Sequence, residues 1–407
     1  MGGFECSTHR RFDGKRLDLI ASSLHDTCAQ QDYERLLSVG ITTARDGVRW
    51  TVIESSPGQF DWSSFLPMLR AARKAGICVI WDLLHFGWPD HVDVFSPDFA
   101  KRLGRFAAEF IRVVTHETDD IPFIAPVNEI SFLSYAGGDA GFFNPFAHGR
   151  GNEMKVQLVK GCIAAIEEIR QVCPQARIVH PDPMINISAD PYKPQDRLVA
   201  EGHRQSMFMA WDMISGRLRP ELGGRLEYLD IIGINYYIQN QWIHNGHVLV
   251  PSHPYYLPVR YMLREVWERY QRPLFIAETG IEGPVRPNWL RYICQEVRGA
   301  IALGVPMEGL CLYPIVDHAG WEDDRYCPNG LWGYSNENGV RPIDAGLAQE
   351  LLSQQGIFLQ LSNEPQRAAE LVTAGGPIGS FDFLDRAATE METTADRSRE
   401  GLLQTDK

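Results

Sequence analysis

Strand-like apolar runs alternate with helical patterns along most of the chain. The runs are, in order, GGFEC, ITTARDGVRW, GICVIWDLLHF, PFIAPV, RIVHPDP, LDIIGINYY, PLFIAET and EGLCLYPIV. They are rich in β-branched and other apolar residues, as buried parallel strands are. A helical pattern follows each run. Eight such units in unbroken alternation predict an α/β fold of the (β/α)8 class, the TIM barrel.

The helical patterns supply the other half of this evidence. Between the second and third runs, four apolar residues share one helix face: Phe65, Met68, Leu69 and Ala72. After the third run, Ser96 is the predicted N-cap and Pro97 the predicted first helical residue. The further predicted helices are 154–173, near 204–216, near 258–270, 288–302 and near 343–354. A doubly wound open sheet is the alternative, but no glycine-rich phosphate loop follows the first run.

The alternating pattern ends before the chain does. Residues 1–363 are predicted to form one barrel domain, because they carry all eight units. Residues 364–407 are rich in charge, Thr, Ser and Gly and are weakly periodic. This composition predicts a flexible or loosely docked C-terminal tail.

Charge and cysteine usage argue against several classes of partner. The formal net charge of −13 disfavours nucleic acid and anionic membrane surfaces. No apolar run reaches the roughly 18 residues of a membrane span, and the N-terminus lacks the pattern of a secretory signal. The eight cysteines are scattered without a CxxC pair. We therefore expect a cytoplasmic protein with reduced, mostly buried thiols and no zinc site. The sequence does not reveal the oligomeric state.

Polar residues cluster where the predicted strands end. In a barrel these ends form the mouth, where catalytic residues lie. The residues concerned include Arg45, Asp82, His85, Asn128, Glu129, His180, Asp182, Asn235, Tyr237, Glu278, Asp317 and His318. Such side chains hydrogen-bond polyhydroxylated ligands, and packing alone requires far fewer of them. For His180 and Asp182, however, a solvated loop is the favoured interpretation. Among the histidines, no HExxH motif or tight His–Asp cluster suggests a metal.

Two of the strand ends carry a glutamate. Glu129 ends the fourth predicted strand and Glu278 the seventh, and these two strands face each other across the mouth of a barrel. Cleavage of a glycosidic bond needs two carboxyl groups, one as acid/base and one as nucleophile or base. The pair therefore predicts a glycosidase, although two solvated strand ends are the alternative interpretation.

At these residues the sequence resembles the retaining (β/α)8 glycoside hydrolases of the clan that contains the family 1 β-glycosidases. PVNEI looks like the T-x-N-E-P segment, in which the acid/base glutamate follows a sugar-binding asparagine. FIAETG is similar to I-T-E-N-G, which carries the nucleophile. The resemblance implies that Glu129 is the acid/base, that Asn128 binds sugar and that Glu278 is the nucleophile.

Three more motifs resemble that family in the same order. DIIGINYYI resembles D-F-I-G-I-N-Y-Y-T, which implies that Asn235 binds substrate and that Tyr237 contacts the nucleophile. HFGWPD resembles H-W-D-L-P and places His85 on a sugar-binding histidine. ARDGVRW resembles R-F-S-I-S-W and places Arg45 beside the nucleophile.

The chain departs from the family at the positions that grip the outer sugar hydroxyls. The family's W-S-L-L-D-N-F-E-W corresponds to YPIVDHAGW, in which Trp321 is kept. The platform tryptophan becomes Tyr313, and the sugar-binding glutamate becomes Gly320. Glu5 is the candidate for the place of the family's N-terminal glutamine, and Ile130 replaces the proline after the acid/base. Because of these changes, the resemblance does not predict which sugar the chain binds.

The expected activity is retaining hydrolysis of a β-O-glycosidic bond. Glu278, held ionised by Arg45 and hydrogen-bonded by Tyr237, attacks the anomeric carbon, while Glu129 protonates the leaving oxygen and then activates water. Apolar neighbours should raise the pKa of Glu129. The expected partner is a small carbohydrate or glycoside, with no cofactor and no metal. A transglycosidase with the same pair and a catalytically silent sugar-binding barrel are the alternatives.

Aromatic residues after strand ends are candidates for sugar-stacking walls. The set is Trp81, Trp88, Phe132, Tyr135, Phe142, Phe143, Tyr313 and Trp321. Tyr313 and Trp321 are the two assigned to substrate binding.

Overall fold

Eight parallel strands close into a barrel in the computed structural model, which describes residues 1–364 and 368–372. The order around the barrel is β1–β8–β7–β6–β5–β4–β3–β2, so each strand lies beside its sequence neighbours and β8 closes onto β1. The strands are β1 Gly2–Gly3, β2 Thr43–Gly47, β3 Cys78–Asp82, β4 Phe123–Ala125, β5 Arg177–Pro183, β6 Ile231–Asn235, β7 Leu274–Thr279 and β8 Met307–Leu312. The predicted (β/α)8 fold is confirmed, and the open sheet is excluded.

Helices surround the barrel and begin and end close to the predicted residues. The α-helices of six or more residues are His25–Ser38, Leu66–Ala75, Phe99–Glu117, Gly151–Val172, Arg197–Gln205, Met209–Ile214, Val259–Tyr270, Arg286–Ala302 and Ala345–Asn363. A π-helix spans Ser134–Asp139. The four-residue helices are Leu19–Ser22, Trp50–Ile53, Ile130–Leu133 and Ala368–Leu371. Two short pairs of strands lie outside the barrel: Asn186–Ser188 with Gln241–Ile243, and His318–Ala319 with Tyr326–Cys327.

Three of the predicted helices differ from the structure. The helix expected near 343–354 begins at Ala345 and continues to Asn363. The helix expected to start at Pro97 begins at Phe99, because Ser96 accepts a hydrogen bond from the backbone of Asp98 and closes a turn before the helix. The helix expected near 204–216 is two shorter helices with a 3-10 turn between them, Ser206–Phe208.

The core has two layers, and the alternation of side chains along each strand decides which residues reach them. Ile80, Ala125, Val179, Phe275 and Ala277 form the apolar cluster inside the barrel. Their strand neighbours pack outward against the helices in a much larger cluster. Above the inner cluster, the inward positions at the strand ends are polar. This arrangement places the candidate site at the carboxyl-terminal mouth.

The C-terminal region is described only in part. The helix Ala368–Leu371 packs on Arg286–Ala302, where Arg298 Nε donates to the carbonyl of Leu371 at 2.7 Å. The rest of the predicted tail, 365–367 and 373–407, lies outside the described residues. The division into a domain of residues 1–363 and a tail therefore stays a prediction.

Two predictions from composition can be compared with the structure. All eight cysteines are unpaired, and Cys78 is the exposed one. Among the described residues no helix has both the length and the apolar character needed to cross a membrane. The cytoplasmic location stays a prediction.

Candidate active site

The turn after β4 presents Glu129 to the mouth in an unusual backbone conformation. Glu129 has φ 49° and ψ 58°, in the left-handed region that non-glycine residues seldom occupy. Its backbone N–H donates to the carbonyl of Pro181 at 3.0 Å, and its carbonyl accepts from Leu133 at 2.9 Å. The turn is therefore held both by the neighbouring β5 and by the first turn of the helix Ile130–Leu133.

Glu278 reaches the same mouth through an irregularity in β7. Ile234 of β6 pairs with Ile276, but the next residue, Asn235, pairs with Glu278. Ala277 is thus the extra residue, as in a β-bulge, which re-aims the side chains that follow it. Ala277 lies in the inner cluster, and Glu278 bonds inward as well, as its contacts with Arg45 show.

Arg45 is the buried cation that organises the floor of the site. Its Nη1 donates to Glu278 Oε1 at 2.6 Å, and its Nε and Nη2 donate to the two oxygens of Asp82 at 3.1 and 2.6 Å. Nη2 also donates to Asn128 Oδ1 at 2.7 Å. Burying an ion without partners costs several kcal/mol. Here one guanidinium is matched by two carboxylates, so the group as a whole is anionic.

Tyr237 and Asn235, both from the end of β6, bond one glutamate each. The Tyr237 hydroxyl donates to Glu278 Oε2 at 2.9 Å. Burial and the Glu278 charge both raise the pKa of Tyr237, so its phenol stays protonated as a donor. The Asn235 amide donates to Glu129 Oε1 at 2.8 Å. Glu278 therefore accepts from Arg45 and Tyr237, whereas Glu129 has a single neutral donor.

The two glutamates consequently differ in how well their charge is compensated. Burial raises the pKa of Glu129 well above its ordinary value, and the charge of Glu278 raises it further. The bond from Asn235 and the more distant Arg45 oppose this rise without cancelling it. Glu129 is therefore the carboxyl that keeps a proton near neutral pH, which is the direction expected from its sequence.

The hydrogen bonds around His85 define its tautomer. Because Asn128 Oδ1 accepts from Arg45, its Nδ2 is left to donate to His85 Nε2 at 3.2 Å. The proton of the neutral ring then sits on Nδ1 and is donated to Asp82 Oδ2 at 2.8 Å. The Tyr313 hydroxyl lies 3.4 Å from the same Nε2. His85, Asn128 and Tyr313 thus form one polar layer with Arg45.

Tyr313 is placed deeper than a stacking platform. It is 2% exposed, and its ring lies parallel to that of His85 with centroids 5.9 Å apart. A Cβ at Gly3 would lie 2.2 Å from Tyr313 Cδ2, so the glycine of β1 makes room for the ring. Tyr313 is therefore a buried member of the polar layer and leaves little surface for a sugar.

An aromatic wall rises from the other side of the mouth. Trp321 is half-buried and contacts Phe86, Phe143 and Phe132, with centroids 5.3 to 6.3 Å apart. Phe132 continues outward to Phe142, and Phe142 to the exposed Tyr135. By contrast, Trp81 packs on Phe65 outside the barrel, so the prediction that it lines the site is wrong. The strand alternation that points Asp82 inward points Trp81 outward.

Glu5 lies at the end of β1 among histidines. Burial raises the pKa of Glu5, while the backbone and hydroxyl of Ser7, which both donate to its Oε1, lower it. Nearby, His9 Nδ1 is buried and has no hydrogen-bond partner among the described residues, while its ring contacts Phe143 and Trp321.

The strand-five residues are buried, so the prediction of a solvated loop there is wrong. His180 is 3% exposed and contacts the carbonyl of Tyr228 behind the barrel, and Asp182 is 2% exposed. The reason is again alternation: Val179 lies in the inner cluster, so both residues point to the opposite side of β5.

One His–Asp grouping does exist, contrary to the prediction from the sequence. Donor atoms of Cys6, Asp82 and His85 all lie within 4.8 Å of one another. They suit a metal ion poorly, because Arg45 already occupies both oxygens of Asp82. Burial also raises the pKa of the Cys6 thiol well above its ordinary value, and nearby carboxylates add to the rise, so no thiolate is available.

No protein-family model and no curated protein sequence matches the chain. Solved structures do match it. The family 1 β-glucosidase from Thermotoga maritima has a TM-score of 0.67 at 13% identity, over 82% of this chain and 87% of that one. The Thermotoga maritima β-glucosidase in complex with deoxynojirimycin gives 0.68 at 14% identity, with 82% and 87% covered. The chain has the fold of family 1 β-glucosidases.

The geometry brings eight of the nine sequence-predicted residues into one hydrogen-bonded group: Arg45, His85, Asn128, Glu129, Asn235, Tyr237, Glu278 and Tyr313. Trp321 lies in the aromatic wall. The sequence reasoning noted Asp82 but gave it no role, although Asp82 holds both Arg45 and His85. The sequence did contain a signal for this role, because a buried arginine on β2 needs a carboxylate nearby as its counter-charge.

Proposed function

We propose that this chain is a glycoside hydrolase that cleaves a β-O-glycosidic bond with retention of configuration. Glu278 is the nucleophile and Glu129 the acid/base. The observation that carries the proposal is the contrast between two carboxyls at one mouth. Glu278 is bonded in its ionised form by Arg45 and Tyr237, whereas burial and the neighbouring charge keep Glu129 protonated. Carboxyl pairs split in this way divide acid and nucleophile roles in glycosidases.

The steps follow from these contacts. Glu278 attacks the anomeric carbon while Glu129 gives its proton to the leaving oxygen, which forms a glycosyl-enzyme ester. Glu129, now a carboxylate, removes a proton from water, and that water hydrolyses the ester. Arg45 and Tyr237 each donate to one oxygen of Glu278 and orient it for attack. Asn235 fixes Glu129 from the side of β6.

The substrate belongs to the class of small carbohydrates or glycosides. The β-glucosidases of the same fold are seen with glucoimidazole and with deoxynojirimycin, which supports a sugar ligand. In this chain Asn128 and His85 are assigned to the ring hydroxyls, Trp321 to stacking, and Tyr313 to the support of His85. Gly320 leaves no carboxylate at the position where the resemblance expects one, so a glucoside is not assumed.

Trapping with activated 2-deoxy-2-fluoro-glycosides of several sugars tests the nucleophile and the sugar together. We expect mass spectrometry to locate the adduct on the peptide that contains Glu278, with no adduct in the Glu278→Gln variant. Label on another residue would contradict the assignment. The Glu129→Gln variant is the matched control: it should still be labelled by reagents with good leaving groups, because these need no acid.

The stereochemistry of the first product tests the retaining step. Proton NMR during the first turnovers should show the β-anomer before mutarotation. Transfer to an added sugar acceptor in preference to water would indicate a transglycosidase. Sugar binding without turnover of any glycoside, unchanged in Glu278→Gln, would instead support a silent sugar-binding barrel.

A further inference from the structure

Asp182 takes no part in the steps proposed above, yet both of its oxygens hold the turn that carries the proton donor. Ser131, two residues after Glu129, donates its backbone N–H to Asp182 Oδ1 at 3.0 Å and its hydroxyl to Oδ2 at 2.7 Å. Asp182 is 2% exposed at the end of β5. A carboxylate this deeply buried is retained only where its contacts compensate the lost hydration.

The backbone next to Asp182 grips the same turn. The carbonyl of Pro181 accepts from the backbone of Glu129 at 3.0 Å. Glu129 adopts a left-handed conformation, which is strained for a residue with a side chain. Residues 181 and 182 of β5 thus hold residues 129 and 131 at two points, and they stabilise a conformation that Glu129 would not adopt by itself.

We propose that Asp182 is a positioning residue for Glu129, which fixes the turn that carries this carboxyl and places a second acidic group beside it. The inference rests on the proposed function, because Asp182 acts only through Glu129.

The charges around the two carboxyls give the direction of the effect. Asp182 faces Lys155, which is 8% exposed on the helix Gly151–Val172, and Glu129. Burial raises the pKa of Asp182 to about 7, and the bonds from Ser131 and the charge of Lys155 limit the rise. Asp182 therefore gains its charge in the neutral range.

Glu129 responds to that charge together with two others. It faces Glu278 and Asp182, which raise its pKa, and Arg45, which lowers it, and its own charge acts on Tyr237. Once Asp182 is ionised, a second anion opposes the ionisation of Glu129. The proton donor therefore keeps its proton to a higher pH than Glu278 alone would achieve.

Carboxyl titration by 13C NMR tests this in the intact chain, labelled at the glutamate side-chain carboxyls. The Glu129 signal is identified by its loss in Glu129→Gln. In the unsubstituted chain we expect two steps in its titration, one of them near pH 7, where Asp182 ionises. In Asp182→Asn we expect one step at a midpoint lower by about one to two pH units, the size of a charge–charge interaction at this depth.

Asp230→Asn is the matched control, since it removes a carboxylate that also bonds the backbone of β5, at Ile178 (2.9 Å), but leaves Asp182 and Ser131 unchanged. It should keep the high midpoint. A one-step titration at the same pH in the unsubstituted chain and in Asp182→Asn would overturn the proposal. If Asp182→Asn fails to fold, the titration of the unsubstituted chain still tests the proposal, because a single step in that titration contradicts the coupling of the two carboxyls.

The activity profile gives a second readout. With a glycoside whose leaving group needs protonation, the alkaline limb of kcat/KM should move to lower pH in Asp182→Asn by the same amount as the NMR midpoint, and should stay in place in Asp230→Asn. A limb unmoved by Asp182→Asn would count against the inference. The NMR titration needs no turnover, so inactivity towards every glycoside would overturn the proposed function alone.

Discussion

Arg45 Nη1 and Glu278 Oε1 are 2.6 Å apart in an ion pair whose side chains are 1% and 6% exposed. Both side chains are shielded from water. Asp82 and Asn128 accept hydrogen bonds from the other side of the guanidinium and fix its position. A nucleophile held in this way keeps one oxygen bonded to Arg45 and the other to Tyr237. Predictions about activity and about stability therefore involve the same few contacts.

Replacement of Tyr237 by Phe should lower kcat/KM by about 10- to 100-fold, because a hydrogen bond to a charged group contributes about 1.5–3 kcal/mol. The effect should fall on formation of the glycosyl-enzyme, which stopped-flow measurement of the first turnover detects. Tyr228→Phe is the control, since that hydroxyl donates to Glu167 on the outside of the barrel. Equal losses in both variants would assign the effect to general destabilisation.

Replacement of Arg45 by Met should cost about 3–5 kcal/mol of unfolding free energy, because Asp82 and Glu278 are left buried without their cation. Urea unfolding at pH 7 measures this. Arg45→Lys should lose less, since it keeps the charge but not the fork of donors. The exposed pair of Arg70 with Glu117 provides the contrast: Arg70→Met should change the free energy of unfolding far less than Arg45→Met does, because water screens the exposed pair. Similar losses for Arg45→Met and Arg70→Met would contradict the account.

The raised pKa of Glu129 predicts an unusual dependence of stability on pH. The folded state binds this proton more tightly than the unfolded chain does. The stability that the proton contributes is therefore fully present below the unfolded pKa near 4.5 and is lost as pH rises through the folded pKa. Glu129→Gln has no proton to lose. We therefore expect it to be as stable as the unsubstituted chain at pH 4 and more stable at pH 8, measured by urea midpoints. If the stability difference between Glu129→Gln and the unsubstituted chain is the same at pH 8 as at pH 4, the pKa of Glu129 is not raised in the folded protein.

Much of this site could be predicted from the sequence, because the carboxyl ends of all the strands of a barrel meet at one mouth. Glu129 and Glu278 follow apolar runs, and their meeting follows from the fold alone. The sequence could not reveal the extra residue in β7, because Ala277 and Glu278 break the alternation that pattern reading assumes.

The depth of Tyr313 was hidden for a different reason. Its position at a strand end predicted a binding surface, but the space that buries it is supplied by Gly3, more than 300 residues away in the chain. Likewise the grip of Asp182 on Ser131 joins two strand ends whose register is set by the closed barrel. Contacts of this kind depend on tertiary packing, which local patterns do not encode.

A buried histidine outside the candidate site gives the last prediction. His25 Nδ1 lies 2.9 Å from Asp32 Oδ2, and its Nε2 lies 2.8 Å from Asp46 Oδ2, with the ring 0% exposed. Burial lowers the pKa of His25, but the two carboxylates outweigh it and raise the pKa to about 9. The folded state therefore holds this proton more tightly than the unfolded chain, whose histidine titrates near pH 6.5. The resulting stability, about 3 kcal/mol, is fully present below pH 6.5 and is lost as pH rises through about 9. Urea unfolding of the chain and of His25→Gln between pH 6 and 10 isolates this term as the difference between the two. We expect that difference to be largest at pH 6 and to shrink across this window, and a difference independent of pH would show that His25 is neutral in the folded protein.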